Sequence, residues 1–403
     1  MMTEWNTWKR RAHAVLDKQS LRRGEPKYRS IVACCLLAFS LSTVPAYAAS
    51  RELAIEQIDS MPNGDAIHTY TLTNSKGHSI KLMDLGATLL QVNVPDRSGN
   101  LDNVVMQLGN LSDYKANTMS AVNSVVGRYA NRIAKGFTLD DVYYPLTEDA
   151  NGITLHGGRD YYQQRLWRYM PMPEKHQVTF ALDSASGDQG FPGELIATVT
   201  YRWSDSDALT ISFAAATDKD TELNLTNHAY FNLAGFGTVP GTDQVLQLYA
   251  RRYAATDALQ IPTGVLPSVE GTALDFRKPT LIKSRMGAET AGDLSTVKAY
   301  DYSMPLDLAH VGTGHVAGRL YSPASGRAME IRTTEPSIQI YSGVHLRHGI
   351  PLANGKDLFQ GAGFALETQH LPDSPHHSNF PSTELKAGKV FRSTTIFRFY
   401  LQK

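Results

Sequence analysis

The stretch ATVTYRWSDSDALTISF, residues 197–213, decides the architecture. Ala197, Val199, Tyr201 and Trp203 alternate with Thr198, Thr200 and Arg202; after the turn SDSD, Leu209, Ile211 and Phe213 alternate with Thr210 and Ser212. A period of two sends successive side chains to opposite faces of an extended chain, and β-branched and aromatic residues fit a half-buried pleated surface. Two such runs joined by a short polar turn predict an antiparallel hairpin with one apolar face. Further along, Phe391 to Leu401 repeats the signature, with Phe391, Phe397, Phe399 and Leu401 on one side and Arg392, Thr394 and Arg398 on the other. Breaks rich in Gly, Pro and Asn recur, as at DRSGN, GFPG and PLANG, while helical periodicity is scarce. No linker, charge block or short repeat divides the chain after its first fifty residues. The pattern therefore predicts one large antiparallel all-β domain over residues 49–403, a sandwich of long twisted sheets.

The chain has 403 residues, 42% hydrophobic and 19% charged, an ordinary globular composition. Its 39 basic and 39 acidic residues cancel, which argues against a nucleic-acid partner, since a phosphate-binding surface shows as excess Lys and Arg. The first fifty residues differ from the rest. Eight Lys or Arg against three acids precede an uncharged apolar run from Ile31 to Thr43, followed by Pro45 and by Ala46, Tyr47 and Ala48. A basic region, a short apolar stretch and a small-x-small site predict a secretory signal peptide over residues 1–48 and an exported, periplasmic or secreted product. The alternative is a retained membrane anchor, because the uncharged run is near the length of a spanning helix. Ser, Thr and Pro in its second half, with the small-residue site, favour cleavage. Removal of the leader leaves 31 basic and 36 acidic residues, a mildly acidic soluble chain with no membrane attachment. Cys34 and Cys35 leave with it, so neither a disulfide nor a thiolate metal site is expected in what remains.

Four segments can carry chemistry. In LNLTNHAYFNL, residues 223–233, an extended chain puts Asn224, Thr226, His228, Tyr230 and Asn232 on one face, and Leu223, Leu225, Ala229, Phe231 and Leu233 on the other. Alone, that polar face reads first as a solvated strand surface. In GFALETQHLPDSP, Glu367 stands within an otherwise apolar strand, beside the small residues Gly363 and Ala365. Such a carboxylate is paired, hydrated in a cleft or shifted in pKa, or else it ends its strand in water. GRYANRIAKG at 127–136 and NGITLHGG at 151–158 set Arg128, Asn131, Arg132 and His156 among glycines, which suits loops that donate to sugar hydroxyls and also suits ordinary turns. EPSIQIYSG puts Ser337, Gln339 and Tyr341 opposite Ile338 and Ile340. The histidines His370, His376 and His377 with Asp373 lie among prolines and are expected to be solvated loop residues, not metal ligands. A Gly-rich phosphate loop, a GxSxG elbow and an HExxH motif are absent from the sequence.

Taken together and in this order, GRYANRI, LHGG, GFPGEL, NLTNHAYFNL, TTEPSIQIYSG and LETQHLPDSP resemble the aldose 1-epimerase family over nearly all of residues 51–403. The resemblance implies a single β-supersandwich of the galactose mutarotase type. It also implies an isomerase that interconverts the α and β anomers of a free aldose such as glucose or galactose, with no metal and no cofactor. It further implies that His228 is the general acid on the ring oxygen and Glu367 the general base on the anomeric hydroxyl. His156, Asn131, Arg132 and Gln339 match positions that look like sugar contacts, and Asp301 matches a hydroxyl-binding aspartate. The family usually reads YDHNF here, whereas this chain has Tyr300, Asp301, Tyr302, Ser303 and Met304, so an altered pocket shape beside Asp301 is expected. Two rivals remain. The first is an epimerase for a sugar phosphate or a disaccharide; a phosphate would want an Arg and Lys cluster that the acidic chain does not offer. A non-catalytic carbohydrate-binding sandwich would need the sugar contacts but not both His228 and Glu367.

Overall fold

The 197–213 hairpin forms as the alternation requires. Strand Leu195–Trp203 pairs antiparallel with Ala208–Thr217, and Trp203 stands opposite Leu209 across the SDSD turn. Ala197, Val199, Tyr201, Trp203, Leu209, Ile211 and Phe213 are buried, while Arg202 on the other face is exposed. Asp207 closes the turn in the left-handed region at φ 56°, a conformation that Asp tolerates better than most residues. The computed structural model describes residues 52–116, 120–171, 176–287, 299–346 and 348–402. The expected leader, with Cys34 and Cys35, lies outside them.

The hairpin sits inside a nine-stranded antiparallel sheet. Its neighbour Val390–Leu401 pairs with Ala208–Thr217 on one side and Arg327–Thr333 on the other, so the chain's last strand is a central one. Its inward residues Phe397 and Phe399 are buried as the sequence predicts, but Leu401 is exposed at the strand's end. A five-stranded sheet runs from Glu52–Ser60 to Leu101–Asn103. A four-stranded sheet orders Tyr230–Phe231, Phe364–Gln369, Ser337–Tyr341 and Asp301–Pro305. All three sheets feed one apolar cluster: Leu72, Ile80 and Val92 from the five-stranded sheet, Val199, Met329 and Phe397 from the nine-stranded one, and Ile338, Ile340, Phe364 and Leu366 from the four-stranded one. Among the described residues no helix is long and apolar enough to cross a membrane.

The four-stranded sheet departs from the simple pattern. Ile338, Ile340, Phe364, Leu366 and Met304 supply its core face, so Ser303, Gln339, Tyr341, Ala365 and Glu367 point the other way, yet they are buried as well. The 223–233 segment is not one strand either. Thr226–Asn227 pairs with Val125–Val126, Tyr230–Phe231 pairs with residues 364–365, and His228 and Ala229 form the step between. Its polar face is not wet, because most of its members are stitched to neighbouring backbone. Asn224 exchanges two hydrogen bonds with the backbone of His370, Thr226 Oγ1 donates to the Thr368 carbonyl, and Asn232 Nδ2 donates to the Val239 and Ala362 carbonyls. His228 is the member left for other work.

Candidate active site

At this step the chain delivers His228 to Glu367. His228 N–H donates to the Ser124 carbonyl and its own carbonyl accepts from Asn123 N–H, which fixes the backbone on both sides of the ring. Tyr230 stacks on the imidazole with ring centroids 4.8 Å apart. Nε2 lies 3.4 Å from Glu367 Oε1, and the two residues are 4% and 2% exposed. Among the described residues, Glu367 Oε2 and His228 Nδ1 are buried with no hydrogen-bond partner on another residue. Buried polar atoms are normally paired, so two orphans on adjoining titratable groups mark a place that awaits a partner.

Both groups border a cavity of about 160 Å³ lined by Ser120, Asn131, Arg132, Leu155, His156, His228, Tyr230, Asp301, Tyr341, His345 and Glu367. Six of the seven residues expected from the sequence are thus brought together. Gln339 is the exception. It faces the correct way but lies behind the wall, where Nε2 donates to Asp301 Oδ1 at 2.5 Å and Oε1 accepts from Ser303 Oγ. Gln339 therefore holds Asp301 and does not border the cavity. Of the altered residues beside Asp301, strand alternation turns Tyr302 and Met304 to the core face, where Met304 is buried and Tyr302 packs edge-on against Tyr253, and leaves Ser303 on the side of Asp301 and Gln339. Of the residues not anticipated, Tyr230 and Tyr341 stood on the polar faces already noted, whereas Ser120, Leu155 and His345 carry no periodic signal.

Asn131 and His156 are held in the left-handed region, at φ 63° and 51°, and bind each other. His156 N–H donates to the Asn131 carbonyl at 2.8 Å, and Asn131 N–H donates to His156 Nδ1 at 3.3 Å. That second bond makes Nδ1 an acceptor and leaves Nε2–H as the donor of a neutral ring. Burial, followed by the nearby His228 and Arg132, holds His156 well below the usual imidazole range, in keeping with a neutral donor. The glycine pair after His156 has a packing reason: a Cβ on Gly157 would stand 2.2 Å from the Gly127 carbonyl oxygen.

Arg132 Nη1 donates to Asn131 Oδ1 at 3.1 Å and stands 3.6 Å from Asp301 Oδ2, while Nη2 binds Gln260 Oε1. The loop after Glu367 steadies this arginine from behind. Asp373 N–H donates to the Arg132 carbonyl, its Oδ1 accepts from Ala134 N–H at 3.0 Å, and His376 Nδ1 pairs with the same oxygen at 2.7 Å. His376 is exposed, as expected of a solvated loop, but Asp373 is buried and His377 mostly covered, so at Asp373 the loop forms a structural clasp. Three carboxylates do gather elsewhere, at Asp140, Asp220 and Glu384, but Lys386 Nζ sits among them, 2.9 Å from Asp220, and supplies the countercharge.

The electrostatics of the central pair reverse a simple expectation. Exposed side chains titrating near 4.3 and 6.5 would be a carboxylate and an imidazolium at mildly acid pH. Here burial, with a further push from Asp301 and an opposing pull from Arg132, raises Glu367 well above the carboxylate range, while burial lowers His228 to about 4. Burial thus favours the neutral form of each group, a carboxylic acid beside a neutral imidazole. Because the two atoms are in near contact, passing the proton from Glu367 to His228 creates an adjacent ion pair and not two isolated charges, which returns part of the burial cost. A pair that holds one proton in either of two places can deliver an acid and a base together.

The aldose 1-epimerase family profile matches residues 68–398. The aldose 1-epimerase of Escherichia coli K12 is 36% identical over 341 residues, covering 84% of this chain and 96% of the relative. The galactose mutarotase of Rattus norvegicus is 34% identical and covers 83% and 95%. Among solved structures, galactose 1-epimerase from Lactobacillus acidophilus NCFM superposes with a TM-score of 0.75 at 25% identity, over 88% of this chain and all of that one.

Proposed function

Since the chain belongs to the aldose 1-epimerase family, and is an isomerase that interconverts the α and β anomers of aldoses, we propose that the His228–Glu367 pair performs the chemistry on a free hexose such as glucose or galactose. The observation that supports this reading is the 3.4 Å approach of two buried titratable groups with unpartnered atoms beside a cavity rich in hydroxyl-binding groups. In the reactive tautomer the proton is on His228. Glu367 takes the proton of the C1 hydroxyl, the C1–oxygen bond becomes a carbonyl, the bond from C1 to the ring oxygen breaks, and His228 protonates that oxygen. The open aldehyde turns about C1–C2. Closure from the other face returns one proton to His228 and the other to the new anomeric oxygen, so the pair ends as it began. His156 and Asn131 supply neutral hydrogen bonds to the sugar, Arg132 a charged donor and Asp301 a charged acceptor; Gln339 acts on the sugar only through Asp301. Polarimetry of α-glucose and α-galactose with the purified protein, corrected for uncatalysed mutarotation, tests the reading. A rate no greater than the blank with both sugars would refute it.

The same reading places the enzyme outside the cytoplasm, on the basic region, apolar run and small-x-small site of residues 1–48. N-terminal sequencing of exported protein should begin at Ala49. Recovery of an intact N-terminus in the membrane fraction would replace export with anchorage.

A further inference from the structure

Ser303, Gln339 and Glu367 form one row across three strands, each directly opposite the next. Residues so placed have Cβ atoms about 5 Å apart, which puts the Gln339 carboxamide within reach of two carboxylates. One is Glu367 beside it, and the other is Asp301 on the next strand. A carboxamide has one acceptor oxygen and one nitrogen bearing two N–H donors, and the partners of the oxygen and of the first N–H together fix where the second N–H points. Here Ser303 Oγ donates to Oε1, Nε2 donates to Asp301 Oδ1, and Glu367 Oε2 remains without a donor.

We propose that Ser303 is a positioning residue that commits the Gln339 amide to Asp301 and thereby withholds a hydrogen-bond donor from Glu367. The inference rests on Glu367 being the base. Were the amide to turn toward it, the bond would stabilise the ionised carboxylate and make it a weaker base, while Asp301 lost the contact that orients it toward the sugar. The other groups that bear on Glu367 are His228 from the step between strands, Arg132 from strand Arg132–Ala134, Asp301 itself, and the phenols of Tyr230 and Tyr341; His156 and His345 share the cavity. Among the described residues the Ser303 hydroxyl bonds to Gln339 and to none of these groups.

The test compares Ser303→Ala, Ser303→Thr and the parent protein by the pH profile of kcat and by carbon-13 titration of the Glu367 carboxyl, assigned through its loss in Glu367→Gln. Because the pair titrates as a unit, the expected result is a shift of the whole kcat profile toward lower pH by up to about one unit in Ser303→Ala. The Glu367 carboxyl should move in the same direction and KM should rise, while Ser303→Thr keeps the parental profile. An unmoved carboxyl in Ser303→Ala, or an equal displacement in Ser303→Thr, overturns the proposal. A carboxyl that moves while the kcat profile stays in place upholds the positioning role and overturns Glu367 as the base. Should Ser303→Ala fail to fold, Ser303→Cys, a weaker donor of similar size, must give a smaller shift of the same sign; no shift there overturns the proposal as well.

Discussion

The hairpin at 195–217 and the four-stranded sheet share a period of two, and it means different things in each. In the hairpin the apolar face is buried and the opposite face, with Arg202, Thr210 and Ser212, meets water wholly or in part. In the four-stranded sheet a second layer covers the polar face too, so Glu367 and Gln339 are 2% and 3% exposed. Arg202, Thr210 and Ser212 on the first surface reach water whatever their identity, while Thr198 at its covered end bonds the Ala214 carbonyl. On the second each needs a partner, and Glu367 Oε2, which lacks one, belongs to a side chain that borders the cavity.

The sharpest way to break this contrast is at its extreme. Glu367→Gln keeps shape and removes basicity, and His228→Asn removes the titrating proton; each should lower kcat by roughly 10²- to 10⁴-fold with unchanged far-ultraviolet dichroism. The double variant should lose less than the product of the two factors, since both groups act in one transition state. Near-normal anomerisation by Glu367→Gln would remove it as the base.

A covered carboxylate away from the cavity tests burial without catalysis. Glu222 accepts from Thr383 Oγ1, and burial is the main cause that raises its pKa to about 7. The folded chain therefore keeps a proton that the unfolded chain releases near 4.3, and stability falls as pH rises through that window, with the full penalty above it. Glu222→Gln should stabilise the protein by about 1–3 kcal/mol at pH 8 and leave it nearly unchanged at pH 4, as read from urea unfolding. Equal effects at both pH values would locate the pH dependence elsewhere.

Smaller still is Asp301→Asn, which keeps a polar group at the cavity and should raise KM about tenfold with a lesser fall in kcat, as for a charged hydrogen bond made equally in ground and transition states. A loss confined to kcat would move Asp301 into the proton transfer. At the bottom of the scale, Arg202→Ala on the hairpin's outer face should change stability by no more than about 0.5 kcal/mol and leave kcat untouched. A large loss there would mean that the two faces are less different than their exposure implies.

The same contrast explains what could be read from the sequence. The hairpin and the last strand were legible because water on one face forces polar residues there, and Glu367 stood out as a carboxylate in an apolar run. Period two gives a face but not a depth: it sets Gln339 on the polar face with Tyr341 but carries no sign that its amide is bonded to Asp301 behind the cavity wall. In residues 223–233 the polar period runs on unbroken, since Asn224, Thr226 and Asn232 bind neighbouring backbone on both sides of the step. The change of strand partner at His228 leaves no trace in the pattern. The contact between His228 and Glu367 depends on pairings distant in sequence, Ser120 and His345 enter from connecting segments with no periodicity, and Leu155 from a three-residue strand too short to show one.

The Asp373 clasp has a consequence for how this fold can diverge. It bonds the Arg132 carbonyl and the Ala134 amide at once, from a loop that begins where the Glu367 strand ends. The count of residues from Glu367 to Asp373 therefore acts as a spacer between the carboxyl and Arg132. Substitutions in this loop are tolerable wherever the clasp survives, but an insertion or deletion would have to pull Asp373 off its strand or drag Arg132 out of register with Glu367. Among descendants of this sequence, the loop is free to change its letters and bound to keep its length.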